Sequence, residues 1–339
     1  MNSDNPICPS CGKKLKYGML RCDACNMAIG TKAAGIRLSD KELSEKLLAL
    51  RKKQTMFILI GLIPLSAAIL VLIYRMSNID FGMIFLAPLY VTLMLAAVVL
   101  FIMAWITRGK MKQLISLNTV QAVLNEVFEL QEYIYNEHMD EKIIAATQLV
   151  PGWNSLKGSD YVSGKYQGVR LMFSDIHMEQ VTVDSDNHKS STTILKGQWI
   201  ACELGKESGI HMLIRERSKK KLARGREKTN YELMTVNAAF NERFQVIATD
   251  PDLALRFLTP HTIEHIVSIA TTANARVYLY IGGMWLHVAV DSGKNFFEVG
   301  KSTELSDIPQ LRTRLKSELK YITNIIDKLL RIEYLFGKQ

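Results

Sequence analysis

The chain has 339 residues, a formal net charge of +9 and five cysteines, four of them within the first twenty-five positions. That length suggests two domains. The positive balance suits a protein held against an anionic leaflet, with nucleic acid as the other usual partner. The first fifty residues are polar, so no signal peptide is expected, and Cys202, which stands alone, reads as a reduced core or strand residue of a cytosolic compartment.

The N-terminal stretch, residues 1–30, carries Cys8-Pro-Ser-Cys11-Gly12 and Cys22-Asp-Ala-Cys25. Two Cys-x-x-Cys pairs supply four thiolates, which satisfy tetrahedral Zn2+ and leave no open position for catalysis. Pro9, Gly12 and Gly18 permit the tight turns such knuckles need. A dithiol redox pair wants one such motif opening a helix in a βαβ unit, and none follows. The expectation is a zinc ribbon with Cys8, Cys11, Cys22 and Cys25 as ligands of a structural ion. The alternatives are redox thiols and a metal-free ribbon.

Ser39-Asp-Lys-Glu42 then has the pattern of a capping box opening a helix. That helix runs into Met56–Tyr74, a stretch without a charged residue. As a helix it is about 29 Å long, close to the hydrocarbon thickness of a bilayer. Its Leu, Ile, Val and Phe residues contribute about −4 to −7 kcal/mol to insertion. Phe81–Thr107 is a second charge-free run, long enough to span with tilt. Pro64 and Pro88 sit inside these runs, where membrane helices tolerate them. Arg51, Lys52 and Lys53 precede the first run and Arg108, Lys110 and Lys112 follow the second, so both chain ends are expected in the cytoplasm. Residues 39–149 thus read as a transmembrane hairpin with juxtamembrane helices. Leu117, Val120, Leu124 and Val127 recur at coiled-coil spacing in the second of those helices.

From Val150 onward the pattern changes to period two, and residues 150–339 read as a separate domain. Val169–His177, Trp199–Leu204, Ile210–Arg217, Phe244–Thr249, Val277–Tyr280 and Trp285–Val290 read as strands, with Gly282-Gly283 as a hairpin turn. One helix follows Pro260. Another covers Asp307–Phe336, with Leu311, Leu315, Leu319, Ile322, Ile326 and Leu329 on one face and Gly337 as its cap. Strands first and helices late predict an α+β fold with a mainly antiparallel sheet and packed helices.

Several of these segments resemble a known family. Tyr161-Val-Ser-Gly-Lys165, Gly168 and Phe173-Ser-Asp-Ile-His177 resemble its first half. Phe244–Asp250, Arg256-Phe-Leu-Thr-Pro260, the Tyr278–Val290 hairpin and Phe296-Phe297-Glu298 resemble its second. The family is DUF3137, uncharacterised bacterial membrane proteins. The resemblance implies two membrane spans ahead of the domain, sometimes after a zinc ribbon. It implies no activity, so no functional residue is carried over.

Three further patterns invite a functional reading. His261-Thr-Ile-Glu-His265 matches the order of inverted zinc peptidases, but Ile263, Ile266, Val267 and Ala270 define the apolar face and leave both histidines on the solvated one. Asp175 and His177 share a strand face, as an acid/base pair would. Arg215–Lys228 has eight basic residues, Arg215, Arg217, Lys219, Lys220, Lys221, Arg224, Arg226 and Lys228, against two acidic ones. It reads as a solvated loop or, second, as a binder of anionic lipid headgroups; without an aromatic to stack on bases, nucleic acid is disfavoured.

The reading that unites these features is a multi-pass protein of the bacterial inner membrane, not an enzyme, that acts as an interaction or scaffold protein. Its partner is an unidentified protein or a second copy of itself. A membrane-bound hydrolase and a nucleic-acid-binding module using ribbon and basic loop are the alternatives. For the ribbon, Cys8→Ser or Cys22→Ser should abolish zinc in the purified protein, measured as metal per chain, while the α+β domain keeps its melting behaviour. Full zinc in the double variant would show the ligands to be others.

Overall fold

A computed structural model describes residues 38–77, 83–185, 187–217, 232–298 and 302–332. The ribbon with Cys8, Cys11, Cys22 and Cys25, the connection at 78–82, the six basic residues from Lys219 to Lys228 and the Gly337 cap all lie outside the described residues. The chain divides into two units. One comprises residues 38–120 and 298–313, the other residues 121–297 and 314–332.

The first unit is a helical hairpin. Helix α1, Asp40–Ser77, opens as its sequence predicts: the Ser39 amide donates to Glu42 Oε2 at 3.0 Å and the Glu42 amide to Ser39 Oγ at 3.3 Å. Helix α2, Met83–Ile115, runs back along it and passes through a π-turn at Ser116–Val120. The buried positions on the two helices are Leu43, Leu47, Gly61 and Ala68 on α1, and Ala97, Ala104, Thr107 and Met111 on α2, and their spacings of three, four, seven or fourteen residues keep each set close to one side of its helix. Small residues seven apart let the backbones approach, and a Cβ added to Gly61 would lie 3.3 Å from Leu100 Cβ. At the polar end the Arg312 guanidinium grips Asp40 with both nitrogens, at 2.8 and 2.6 Å.

Helix α3, Gln121–Val127, follows the π-turn. The inserted turn breaks the heptad expected over Leu117–Val127: Val120 and Leu124 are buried, while Leu117 and Val127 are half-buried. The second unit is built on one eight-stranded antiparallel sheet. Its strands are β1 (Glu129–Ile134), β2 (Ser155–Tyr166), β3 (Val169–Val183), β4 (Lys189–Glu203), β5 (Met212–Glu216), β6 (Phe244–Ala248), β7 (Arg276–Gly282) and β8 (Trp285–Asp291). Their order is β1-β2-β3-β4-β8-β7-β5-β6. The sheet therefore begins at Glu129, ahead of the domain boundary expected at 150. The reason is local: β1 is six residues long, and Glu129 and Glu132 on it hide the alternation. The β7–β8 connection turns at Gly283, whose φ of 58° lies in the left-handed region that glycine enters without strain.

The remaining helices are α4 (Glu141–Ala146), α5 (Ala238–Arg243), α6 (Pro251–Phe257), α7 (Pro260–Ala273), α8 (Ser302–Ser306) and α9 (Ile308–Leu330). Each of α5, α6 and α7 starts on a side chain that accepts an N–H: Asn237 from Phe240, Asp250 from Leu253, Thr259 from Thr262. Pro251 and Pro260 then occupy the first turn, where their missing N–H costs nothing. All six apolar positions predicted for one face of α9 are buried. Leu311 belongs to the first unit and the other five to the second.

Register and cover depend on one glycine. A Cβ at Gly158 in β2 would meet the Asp175 carbonyl at 2.3 Å and His138 Cβ at 2.7 Å. Gly158→Ala should therefore cost about 1–3 kcal/mol, read as a lower denaturation midpoint. Gly109→Ala in α2, where nothing lies within 4 Å, should leave the midpoint unchanged or raise it.

Candidate functional site

The feature of the first unit that calls for a function is what its helices do not bury. Outside the seam, large apolar side chains stand open: Leu59 is 60%, Ile63 67%, Leu70 66% and Trp105 75% exposed. Removing each such side chain from water is worth about 1.5–3 kcal/mol. Exposed apolar side chains gathered on one element mark a surface that meets a membrane or a partner. Both helices are long and apolar enough to cross a membrane. Three of their hydroxyls are satisfied within the helix, as suits a hydrocarbon environment: Ser66 donates to Ile63 O, Thr92 to Leu89 O and Thr107 to Met103 O, at 2.7–2.9 Å.

In the second unit the sheet has two dissimilar faces. Leu171, Phe173, Ile200, Cys202, Val277, Leu279, Val288 and Val290 alternate onto one face and are all buried, with Phe128 against Phe173. Burial pushes the Cys202 thiol up to about 12, so it stays protonated and unreactive. The other face carries Met172, Met178, Leu195, Trp199, Tyr278 and Ala289, with Trp153, Tyr161, Tyr280 and Trp285 partly open around them. Trp199 Nε1 donates to His287 Nδ1 at 3.1 Å, which leaves the neutral ring its proton on Nε2. The Tyr280 and Trp285 rings pack at 5.8 and 6.3 Å from that imidazole, and burial drops its pKa to about 4.

Arg215 belongs to this face. Its Nε donates to Leu149 O at 2.8 Å and its Nη2 to Gln148 O at 2.6 Å, so it clamps the segment after α4 onto the sheet. Burial also pulls its pKa down. Arg217 pairs with Glu232, and both are largely buried. These two members of the predicted basic site are thus committed to the fold, and the other six lie outside the described residues.

Asp175 and His177 also serve separate ends. Asp175 is buried; its Oδ1 accepts from Gln198 Nε2 at 3.0 Å and its Oδ2 from the Phe296 amide at 2.5 Å. Gln198 Nε2 also reaches Lys294 O at 2.8 Å, and its Oε1 accepts from Ser292 Oγ at 2.9 Å. The network ties the 292–297 loop to the sheet. His177 instead lies 3.0 Å from Thr193 Oγ1. Sequence reasoning missed Gln198 and Ser292; the available signal was a lone amide directly before the apolar run Trp199–Cys202. On α7, His261 and His265 lie on the exposed face with their Nε2 atoms 3.0 Å apart. Burial, then the charge of His261, lowers the His265 pKa. Among the described residues no group of three or more His, Cys, Asp or Glu side chains could hold a metal ion.

A model of the family described as "Protein of unknown function (DUF3137)" matches residues 193–331, from within β4 to the end of α9. The match supports the family resemblance and covers its second half; Tyr161–Lys165 and Phe173–His177 fall before it. No curated protein matches the chain. Among solved structures, the crystal structure of the mycobacterial trehalose monomycolate transport factor A, TtfA, is 11% identical at a TM-score of 0.36. That alignment covers 61% of this chain and 90% of that one.

The buried imidazole sets a pH dependence. His287 titrates at about 4 when folded against 6.5 when free, so protons favour the unfolded chain. Stability from this group is full above pH 6.5 and is lost as pH falls toward 4, by about 3 kcal/mol. His287→Gln keeps an acceptor for Trp199 and does not titrate. Its denaturation midpoint should therefore fall much less than that of the parent between pH 6.5 and 4.5.

Proposed function

We propose that this chain is an integral membrane protein that works as a non-enzymatic interaction or scaffold protein. Its spans are about 56–74 and 81–107, both chain ends face the cytoplasm, and the membrane is the bacterial inner membrane. The observation that carries the reading is the pair of long helices whose apolar side chains stand open around a narrow seam. The flanking charges support the orientation, since Arg51, Lys52, Lys53, Arg108, Lys110 and Lys112 all fall on the side away from the short connection.

On this reading the α+β domain and a ribbon holding Zn2+ at Cys8, Cys11, Cys22 and Cys25 share one compartment and offer the surfaces for a protein partner or a second copy of the chain. The half-open aromatic rings Trp153, Tyr161, Tyr280 and Trp285 support a protein contact on the sheet, because such residues are enriched where interfaces form. Lys219, Lys220, Lys221, Arg224, Arg226 and Lys228 add contacts to anionic headgroups. The hydrolase reading draws less support. Asp175 spends both oxygens on structural hydrogen bonds, and His177 bonds elsewhere.

Reporter fusions after Leu38 and after Gln339 should both report cytoplasm, and a single cysteine placed at Ser77 should react with a membrane-impermeant reagent from outside. An external signal from the C-terminal fusion would overturn the orientation and the domain's compartment together.

A further inference from the structure

The cations next to the two charge-free runs have no carboxylate near them in the sequence of the hairpin. No Asp or Glu occurs between Glu45 and Asp80, or between Asp80 and Glu126. Arg51 Nη1 reaches a neutral acceptor, Gln54 Oε1, at 3.2 Å. Lys53 lies 5.7 Å from the Phe57 ring centroid. The side chains of Lys52, Arg108 and Lys110 have no hydrogen-bond or ion-pair partner among the described residues, and all three are exposed.

Beside this cluster α1 carries an open groove of about 570 Å³, lined by Leu48, Arg51, Lys52, Thr55, Met56, Leu59 and Ile60. Along the helix the lining changes in a definite order. Past Leu48 at the outer end come two cations, then a hydroxyl, then three large apolar side chains that continue into the charge-free span. A free anion would be served by the first part alone. A molecule with a phosphate, a short polar waist and a hydrocarbon tail matches all three parts in sequence.

We propose that this groove holds one anionic phospholipid, with its phosphate at Arg51 and Lys52, its glycerol region at Thr55 and one acyl chain along Met56, Leu59 and Ile60. The inference rests on the membrane reading given above and adds to it a defined lipid site on the span itself, distinct from the basic run after β5. The physical basis is twofold. The two cations gain a counter-ion that the hairpin does not supply, at a depth where water is scarce and the attraction is correspondingly strong. The apolar lining fixes the lipid by its chain as well as its head.

The test uses the full chain, extracted in detergent and exposed in parallel to phosphatidylglycerol, to phosphatidylcholine and to inorganic phosphate, with bound lipid counted by native mass spectrometry. Phosphatidylglycerol should bind preferentially, and each cation removed should weaken it roughly fivefold, so Arg51→Gln with Lys52→Gln should weaken it about 25-fold. Arg51→Lys should retain most of the binding, because the site needs charge. Changing Lys219, Lys220 and Lys221 to Gln should leave it unaltered. Equal binding of phosphatidylcholine, indifference to the Arg51 and Lys52 changes, or displacement of the lipid by inorganic phosphate alone would overturn the proposal. Alkaline extraction of the membranes reports separately on the reading beneath it. A chain that resists extraction but shows no lipid preference refutes the site alone, whereas a chain released by alkali refutes the membrane reading too.

Discussion

The need to keep two long apolar helices out of water governs the arrangement of this chain. α1 and α2 bury one narrow stripe against each other and leave the rest of their circumference open. In water each exposed Leu or Ile would draw neighbours toward it, and the helices would bury far more than a seam. A hydrocarbon environment removes that pull, so packing falls to close contact between small residues. Gly61, Ala68, Ala97 and Ala104 fit that regime, in which backbones approach because side chains do not intervene. The intrahelical bonds of Ser66, Thr92 and Thr107 fit it too, since a hydroxyl in hydrocarbon has no water to turn to.

The second unit obeys the opposite rule, and its polar interior shows how. Antiparallel strands built largely of apolar residues can slip by two without changing which face is buried. The Asp175–Gln198–Ser292 network adds a condition that slippage cannot meet, because a carboxylate buried without its donors is expensive. Gly158 adds a steric condition at the neighbouring strand pair, where His138 and the Asp175 carbonyl crowd its α-carbon. The same carboxylate thus fastens the 292–297 loop while the glycine beside it admits the segment that covers the aromatic face.

Much of this was legible in the sequence, and what was hidden was hidden for identifiable reasons. Charge-free runs of membrane length, the Ser39–Glu42 capping box and the α9 stripe are one-dimensional signals, set by neighbours three or four residues away. They appear in the structure where the sequence puts them. β1, the π-turn and the short helices α4, α5 and α6 depend on contacts distant in sequence and carry only brief or interrupted periodicity. The candidate sites divide the same way. Asp175 reads as half of an acid/base pair until the Phe296 amide, 121 positions away, is seen to occupy it. Arg215 reads as part of a basic run until its guanidinium is found on the Gln148 and Leu149 carbonyls.

That sorting of the arginines bears on where the chain's positive charge is available. In the domain, Arg217 pairs with Glu232, Arg243 with Glu216, Arg276 with Asp291 and Arg314 with Glu318, while Arg215 is spent on carbonyl groups. Those charges hold loops and strand ends and exert little field outside. The cations that flank the spans differ: Lys52, Arg108 and Lys110 are exposed, with no carboxylate beside them in the hairpin. Net charge alone does not separate these two populations, since each residue adds the same unit to the +9 total. Partner geometry does. Lys52, Arg108 and Lys110 are therefore among the described cations whose charge stays available to an anionic surface.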